Sequence, residues 1–236
     1  MPKFSLAIPA YNEGESIGFV VRGVVGAVRK VQPDFEIVVV DNGSTDNTAG
    51  ILDSLKKEIP EVKTIKITLN KGYGGGILTG LSNCSGEVLG FMHADSQVDP
   101  ERIPDIYNKL IHANLDFCKS VRVKRKESIF RITQSIIYNA LFRLLFGGNY
   151  RDINGTPKIF RRNFYERLNL FSRDWFLDPE IMIKAMKMGG KIGEVEIIWD
   201  PRKGGPSHVS LFTAFEFVKN MFLYKFFKDF NGDKKS

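Results

Sequence analysis

Residues 36–58, EIVVVDNGSTDNTAGILDSLKKE, decide the fold. Glu36 to Val40 reads as a strand, a polar loop from Asp41 to Asn47 follows directly, and Thr48 to Glu58 reads as a helix. The same strand, loop and helix order recurs on both sides. Upstream, Phe4 to Pro9 is a buried strand, and Ile17, Val20, Val21, Val24, Val25 and Val28 recur at helical steps that outweigh their β-branching. Downstream, Val62 to Thr68 is a strand, Gly76 to Asn83 a helix, and Glu87 to Met92 a further strand, with another helix expected after Pro100. Such alternation builds an α/β fold with a mostly parallel sheet flanked by helices.

In a sheet of this kind, ligands bind beyond the carboxyl ends of the strands. The loops that feed the helices are therefore the ones to read: Pro9 to Glu15, Asp41 to Asn47, Asn70 to Gly76 and His93 to Asp99. All are polar or glycine-rich. Asp41, at a strand's end, lies where it can accept hydrogen bonds from a nucleotide base or ribose, while the residues after it also suit a capped turn. Asn70-Lys71-Gly72-Tyr73-Gly74-Gly75-Gly76 resembles a phosphate cradle with free backbone amides, although it is neither a P-loop nor a dinucleotide fingerprint. Asp95 and Gln97, two residues apart, suit a hard cation that keeps positions open for substrate phosphates. Asp99 before Pro100 reads as a helix cap.

The chain has 236 residues, 43% hydrophobic and 26% charged, which excludes a disordered chain. Its two cysteines, Cys84 and Cys118, cannot build a disulfide framework. The net charge of +7 favours an anionic partner. Six cations against the single Glu127 lie between Lys119 and Arg131, just ahead of an apolar helix-like stretch ending at Gly147 and Gly148. That basic run lacks interleaved aromatics, so no nucleic acid is expected as partner. No signal or transit peptide is readable at the start, and no apolar run reaches the roughly 18 residues of a spanning helix. Two shorter amphipathic stretches, about 129–146 and 211–230, suit either a lipid interface with lysines at headgroup level or packing on the core or in a dimer.

Taken together, IPAYNE (8–13), VDNGSTDNT (40–48), NKGYGGG (70–76) and HADSQ (93–97) resemble the family 2 glycosyltransferases of GT-A, Rossmann-like fold. DINGTPKIFRR (152–162) and the segment 179–208 are similar to its polyprenyl-phosphate branch, that of the dolichyl-phosphate mannose synthases and their bacterial relatives. The resemblance runs from about residue 4 to 208. It implies a GT-A domain over 1–208, with a C-terminal amphipathic helix and charged tail over 209–236. It implies that Pro9, Tyr11, Asn12, Glu13, Asp41, Asn42, Gly43, Lys71, Gly72, His93 and Ala94 bind the nucleotide sugar, and that Asp95 with Gln97 holds Mg2+ or Mn2+. Arg202 would neutralise the leaving diphosphate, Glu180 would shape the catalytic site on the acceptor side, and Arg122 or Arg125, with Arg131 and Ser135, would receive the acceptor phosphate. His93 stands where the family has its first acid, and His208 where a lysine is frequent.

The implied activity is metal-dependent, inverting transfer of a hexose from GDP-mannose or a UDP-sugar to a polyprenyl or dolichyl phosphate. The implied location is the cytoplasmic face of a membrane, with peripheral attachment. Such an acceptor is already an anion and needs no strong base. An acceptor hydroxyl would need one, for which Asp178 or Glu180 is available, and a non-catalytic relative that only binds nucleotide sugar or lipid phosphate is a third reading. A homo-oligomer is left open.

Overall fold

The computed structural model describes residues 3–123, 129–199 and 211–226. Its strands are β1 (Phe4–Ala10), β2 (Phe35–Asn42), β3 (Val62–Ile67), β4 (Val88–Phe91), β5 (Phe117–Val123), β6 (Lys158–Arg161) and β7 (Ile192–Ile198). They form one seven-stranded sheet in the order β3-β2-β1-β4-β6-β5-β7. Only β6 runs against its neighbours, pairing antiparallel with both β4 and β5. The Ile37–Val40 run is buried throughout, as expected of a strand covered on both faces.

One face is covered by α1 (Ile17–Arg29), α2 (Thr48–Glu58) and α4 (Arg102–His112), whose apolar residues join one core cluster. The other carries α3 (Gly72–Ser82), α5 (Ile129–Phe146), α6 (Arg162–Leu168), α7 (Leu177–Lys187) and α8 (Leu211–Phe226). The elements expected through residue 112 are all present. Asp99 Oδ1 accepts the Glu101 N–H at 3.1 Å, so it caps the turn into α4.

The glycine-rich loop is the main departure. The helix begins at Gly72 instead of Gly76, and three of the amides expected to be free are occupied. Lys71 N donates to Asn42 Oδ1 (3.1 Å), Gly72 N to Asn70 Oδ1 (2.8 Å) and Gly75 N to the Arg173 carbonyl (2.9 Å). The glycines are there for approach. A Cβ on Gly74 would stand 2.5 Å from the Ser172 carbonyl oxygen, so the run seats the 171–175 backbone directly on α3.

The strand order reverses between β1 and β4, since β2 and β3 extend from one side of β1 and β4 from the other. Open α/β sheets bind ligands in the crevice at such a switch. The loops after β1, β2, β3 and β4 all gather there.

α5 and α8 pack on each other through Tyr138, Phe142, Met221 and Tyr224, which face the second core cluster. Their opposite faces carry apolar side chains into solvent: Ile136 (61% exposed), Ile137 and Leu144 (82%) on α5, and Phe222, Leu223 and Phe226 (63%) on α8. Among the described residues, no helix is long and apolar enough to cross a membrane.

Candidate active site

The loops after β1 and β2 are stitched together by side-chain to backbone hydrogen bonds. Asn12, in left-handed geometry at φ 55°, accepts the Thr45 N–H on Oδ1 at 2.8 Å, and its own N–H donates to Ser44 Oγ at 3.0 Å. Glu13 N donates to Thr48 Oγ1 and Gly14 N to Asp46 Oδ2, both at 3.0 Å. Burial alone would raise the Asp46 carboxyl. The hydrogen bonds from Thr48 and Gly14 outweigh it and hold its pKa below the ordinary value. Ser16 Oγ donates to the Ala94 carbonyl at 2.8 Å and so ties this assembly across the switch to the loop after β4. Gly43, at φ 79°, could not be another residue without collision, because a Cβ would meet Asn70 N at 2.7 Å.

Asp41 sits at the centre. Its side chain is buried, Oδ1 accepts the Ser44 N–H at 2.9 Å, and Oδ2 is buried with no partner. A buried acceptor left unmatched costs roughly 1–3 kcal/mol, and Asp41 Oδ2 is such an acceptor near the carboxyl end of β2. Asn42, expected beside it as a ligand contact, clamps the loop after β3. Its amide donates to Asn70 Oδ1 (3.1 Å) and the Gly72 carbonyl (3.0 Å) and accepts from Lys71 N, which leaves its side chain engaged with the loop after β3. Pro9 and Tyr11 line the same crevice half-buried, and Lys71 is exposed at its rim.

Past β4, Asp95 is half-buried, and its Oδ1 accepts the Gln97 N–H at 3.1 Å in an Asx turn, with Ser96 at φ 59°. Among the described residues, no group of three or more His, Cys, Asp or Glu is placed to hold a metal. This donor set fits a cation that draws most of its oxygens from water and a diphosphate, as magnesium-type sites do.

His93 belongs to a network that local sequence did not announce. Its Nε2 lies 2.9 Å from the Tyr73 hydroxyl, which donates to Asp178 Oδ2 at 2.7 Å. Asp178 Oδ1 is paired with the fully buried Lys158 ammonium, which also donates to the Gly155 carbonyl at 2.9 Å. Tyr73 stacks on Trp175 with ring centroids 4.2 Å apart and meets the His93 ring edge-on at 5.5 Å. Burial lowers the His93 pKa against the pull of Asp95 and Asp178, and burial also lowers that of Lys158 against its pairing with Asp178.

Among the residues expected on the acceptor side, several are engaged within the protein. Arg122 grips Asp152 with both arms, Nε to Oδ2 at 2.8 Å and Nη2 to Oδ1 at 2.6 Å, and lies over the Trp199 ring. Burial would raise the Asp152 carboxyl, but Arg122 outweighs it and holds it well below the usual carboxylate range. Arg122 is therefore an already neutralised cation. Glu180, expected to shape the catalytic site on the acceptor side, is engaged by backbone and by a lysine. It is wholly buried, accepts the Phe171 and Ser172 N–H groups (2.8 Å for Ser172) and pairs with Lys184 at 2.6 Å, so it fixes the 171–175 backbone and presents no oxygen to the crevice. Ser135 lies half-buried on α5 and accepts from the Asn139 amide. Arg125, Arg202, His208 and the Arg131 side chain lie outside the described residues.

The family model "Glycosyl transferase family 2" matches residues 5–169. The chain belongs to that family. An undecaprenyl-phosphate 4-deoxy-4-formamido-L-arabinose transferase of Serratia proteamaculans is 32% identical over 212 residues, 89% of this chain and 63% of its own length. The transferase of the same name from Yersinia enterocolitica is 31% identical with the same coverage. The chain thus spans less than two thirds of these curated relatives. Among solved structures, glucosyl-3-phosphoglycerate synthase from Mycobacterium tuberculosis, in complex with Mn2+, UDP and glucosyl-3-phosphoglycerate, superposes with a TM-score of 0.73 at 18% identity over 95% of this chain and 80% of that one. The mannosyltransferase PcManGT from Pyrobaculum calidifontis, with GDP-Man and Mn2+, gives 0.63 at 19% over 86% and 58%. These likenesses establish the GT-A fold of this family 2 chain.

Proposed function

We propose that this chain transfers a sugar from a nucleotide diphosphate to a polyprenyl phosphate at a membrane surface. The observation that carries the reading is the unpartnered Asp41 Oδ2 near the end of β2, the strand beside the β1/β4 switch, which would accept from a base or ribose donor. The relatives named as undecaprenyl-phosphate transferases support the acceptor class, and those solved with nucleotide and Mn2+ support a divalent cation.

Asp95, with Gln97, would hold Mg2+ or Mn2+ against the diphosphate. The cation would supply charge neutralisation for the leaving group. Attack by an acceptor phosphate oxygen forms the new bond to the anomeric carbon as the bond to the diphosphate breaks, with inversion. No proton has to be removed from the nucleophile, since phosphate monoesters are largely dianionic near neutral pH, with a second pKa of about 6. A hydroxyl acceptor is less well served. Asp178 is enclosed by Tyr73 and Lys158 and Glu180 by backbone amides, so neither stands ready as a base. In this reading, the exposed apolar faces of α5 and α8 lie in the lipid interface beside the acceptor.

The test is Asp95→Ala with Mn2+, a panel of UDP- and GDP-sugars and a short polyprenyl phosphate. Loss of electrostatic stabilisation at a leaving group costs at least about a hundredfold in turnover. Wild-type turnover in the variant removes the cation site, and transfer only to saccharide hydroxyls replaces the acceptor.

A further inference from the structure

The crevice occupies one end of the sheet, and the other end has a cavity of its own. β6 runs against its neighbours, so Arg161 and Arg162, which close the segment 152–162, come out at the amino ends of β1, β4 and β5. Arg161 stands opposite Val88, which on its other side stands opposite Phe4. There the two arginines border a cavity of about 730 Å³, a size usual for small-molecule sites. β1 spans seven residues, which puts cavity and crevice about 20 Å apart on opposite rims. The proposed function uses none of the residues that line it.

Four cations line the cavity, Lys3, Arg161, Arg162 and Arg167, against two carboxylates, Glu87 and Asp116. Two of the cations are fixed by neutral partners. Arg161 Nε donates to the Leu115 carbonyl at 2.9 Å and Nη2 to Asn114 Oδ1 at 3.1 Å. Arg162 Nε and Nη2 donate to the Gly86 and Cys84 carbonyls at 2.7 and 2.9 Å. Carbonyls hold a guanidinium in place without cancelling its charge. Arg162 also pairs with the exposed Glu166 at 3.4 Å, a surface contact that is worth little. Asp116 Oδ2 is taken by the Lys191 N–H at 2.8 Å. The fold could use Arg161 and Arg162 to satisfy these carbonyls, but it gains nothing from bringing Lys3 and Arg167 to the same cavity, where like charges repel. Fixed guanidinium donors with an excess of positive charge are what recognises a phosphate.

The rest of the lining narrows the ligand. Glu87, Gln32 and Asn163 supply acceptors and amides that suit hydroxyl groups, and the carboxylates repel a body that carries several further negative charges. Tyr107 and Phe164 add aromatic surface, against which the C–H face of a sugar packs. We propose that this cavity is a second binding site, for a sugar phosphate, with the phosphate held by the arginines and the sugar hydroxyls by Glu87, Gln32 and Asn163.

Calorimetry on the full chain would titrate glucose 6-phosphate, inorganic phosphate and glucose into the wild type, Arg167→Glu, Lys3→Glu and Asp95→Ala, each also followed by thermal melting. Glucose 6-phosphate should bind the wild type and raise its melting temperature. It should bind more tightly than inorganic phosphate, with glucose too weak to register. Losing a charge-assisted hydrogen bond should weaken it at least about tenfold in Arg167→Glu. Arg167 and Lys3 are both exposed, and should Arg167→Glu fail to fold, Lys3→Glu reads the same loss from another segment. Asp95→Ala, at the other rim, should bind as the wild type does, and UDP with Mn2+ should not displace the sugar phosphate. No binding, or unchanged binding in both charge-reversal variants, overturns the site. Displacement by UDP with Mn2+, or loss in Asp95→Ala, moves the binding to the crevice and overturns it as well. Inorganic phosphate bound as tightly as glucose 6-phosphate overturns the assignment to a sugar phosphate. None of these readings requires transfer activity, so the cavity stands or falls separately from the proposed function.

Discussion

The two walls of the crevice are held by different physics. On one side, the loops after β1 and β2 are joined by short polar bonds between Asn12 and Thr45, Asp46 and Gly14, and Ser16 and Ala94. On the far side, α5 and α8 meet through aromatic and aliphatic packing around Tyr138, Phe142, Met221 and Tyr224, and turn Leu144 and Phe226 outward. Directional bonds specify one geometry for a ligand of defined shape, while apolar contact is non-directional and suits a long, variable hydrocarbon. The network of Tyr73, His93, Asp178 and Lys158 stands between the two and joins α3, the β4 loop, α7 and β6 at one hydroxyl.

Breaking that junction should have the largest effect. Lys158→Met leaves Asp178 buried without its cation and is expected to cost about 3–5 kcal/mol, readable as a lowered midpoint in urea unfolding. An unchanged midpoint would mean that the pair is not buried as described. Asp178→Asn in the same background should recover part of the loss.

Gly74→Ala tests the seam between the walls. Its Cβ would press the Ser172 and Asp174 carbonyls at 2.5 and 2.8 Å. Overpacking of this kind costs about 1–3 kcal/mol, and tryptophan emission should report the displaced Trp175. A variant with the wild-type melting temperature and emission would show that the 171–175 backbone yields freely.

Acid sharpens the contrast. Burial alone would raise the Glu36 carboxyl, but hydrogen bonds from Lys63, Ser5 and Ser85 hold its pKa at about 2 against an ordinary 4.5. Because the folded value is the lower one, its contribution is fully present above the ordinary value and is lost as pH falls from there through about 2. The melting temperature of Glu36→Gln should lack this part of the acid slope, so the gap to the wild type narrows between pH 5 and pH 2. A constant gap refutes the linkage.

The smallest effect on stability is expected at the outer face. Ile136→Ser with Leu144→Ser removes exposed apolar surface and should change stability by no more than about 0.5 kcal/mol, yet it should reduce co-sedimentation with anionic vesicles. Undiminished vesicle binding would detach α5 from the membrane reading.

How far these features could be read in advance depended on their range. The alternation of Ile37–Val40 with Thr48–Glu58 and its neighbours located the strands and helices of the first half within a few residues, because each element's pattern is local. The places of Asp41 and Asp95 at the strand ends were legible for the same reason: a carboxylate beside a strand's end is visible in the chain. The clamp that Asn42 makes was not legible, because its partners Asn70 and Gly72 come from another loop. The glycines of 72–76 looked like an anion cradle because nothing nearby shows the 172–174 backbone that fills their surface. Lys158 reads as an ordinary charge before IFRR, and Tyr73 as one residue in a glycine run.

Local pattern, then, was enough for the parallel αβ order, the crevice loops and the family, since side-chain period and turn chemistry act over a few residues. Three-dimensional packing alone chose which carboxylates remain open. Asp41 keeps a free oxygen, while Asp152, Asp178 and Glu180 are closed by Arg122, Lys158 and backbone amides. The physical reason is that a charge's role depends on what surrounds it once water is excluded, and those neighbours are brought together by the sheet's strand order instead of by the chain.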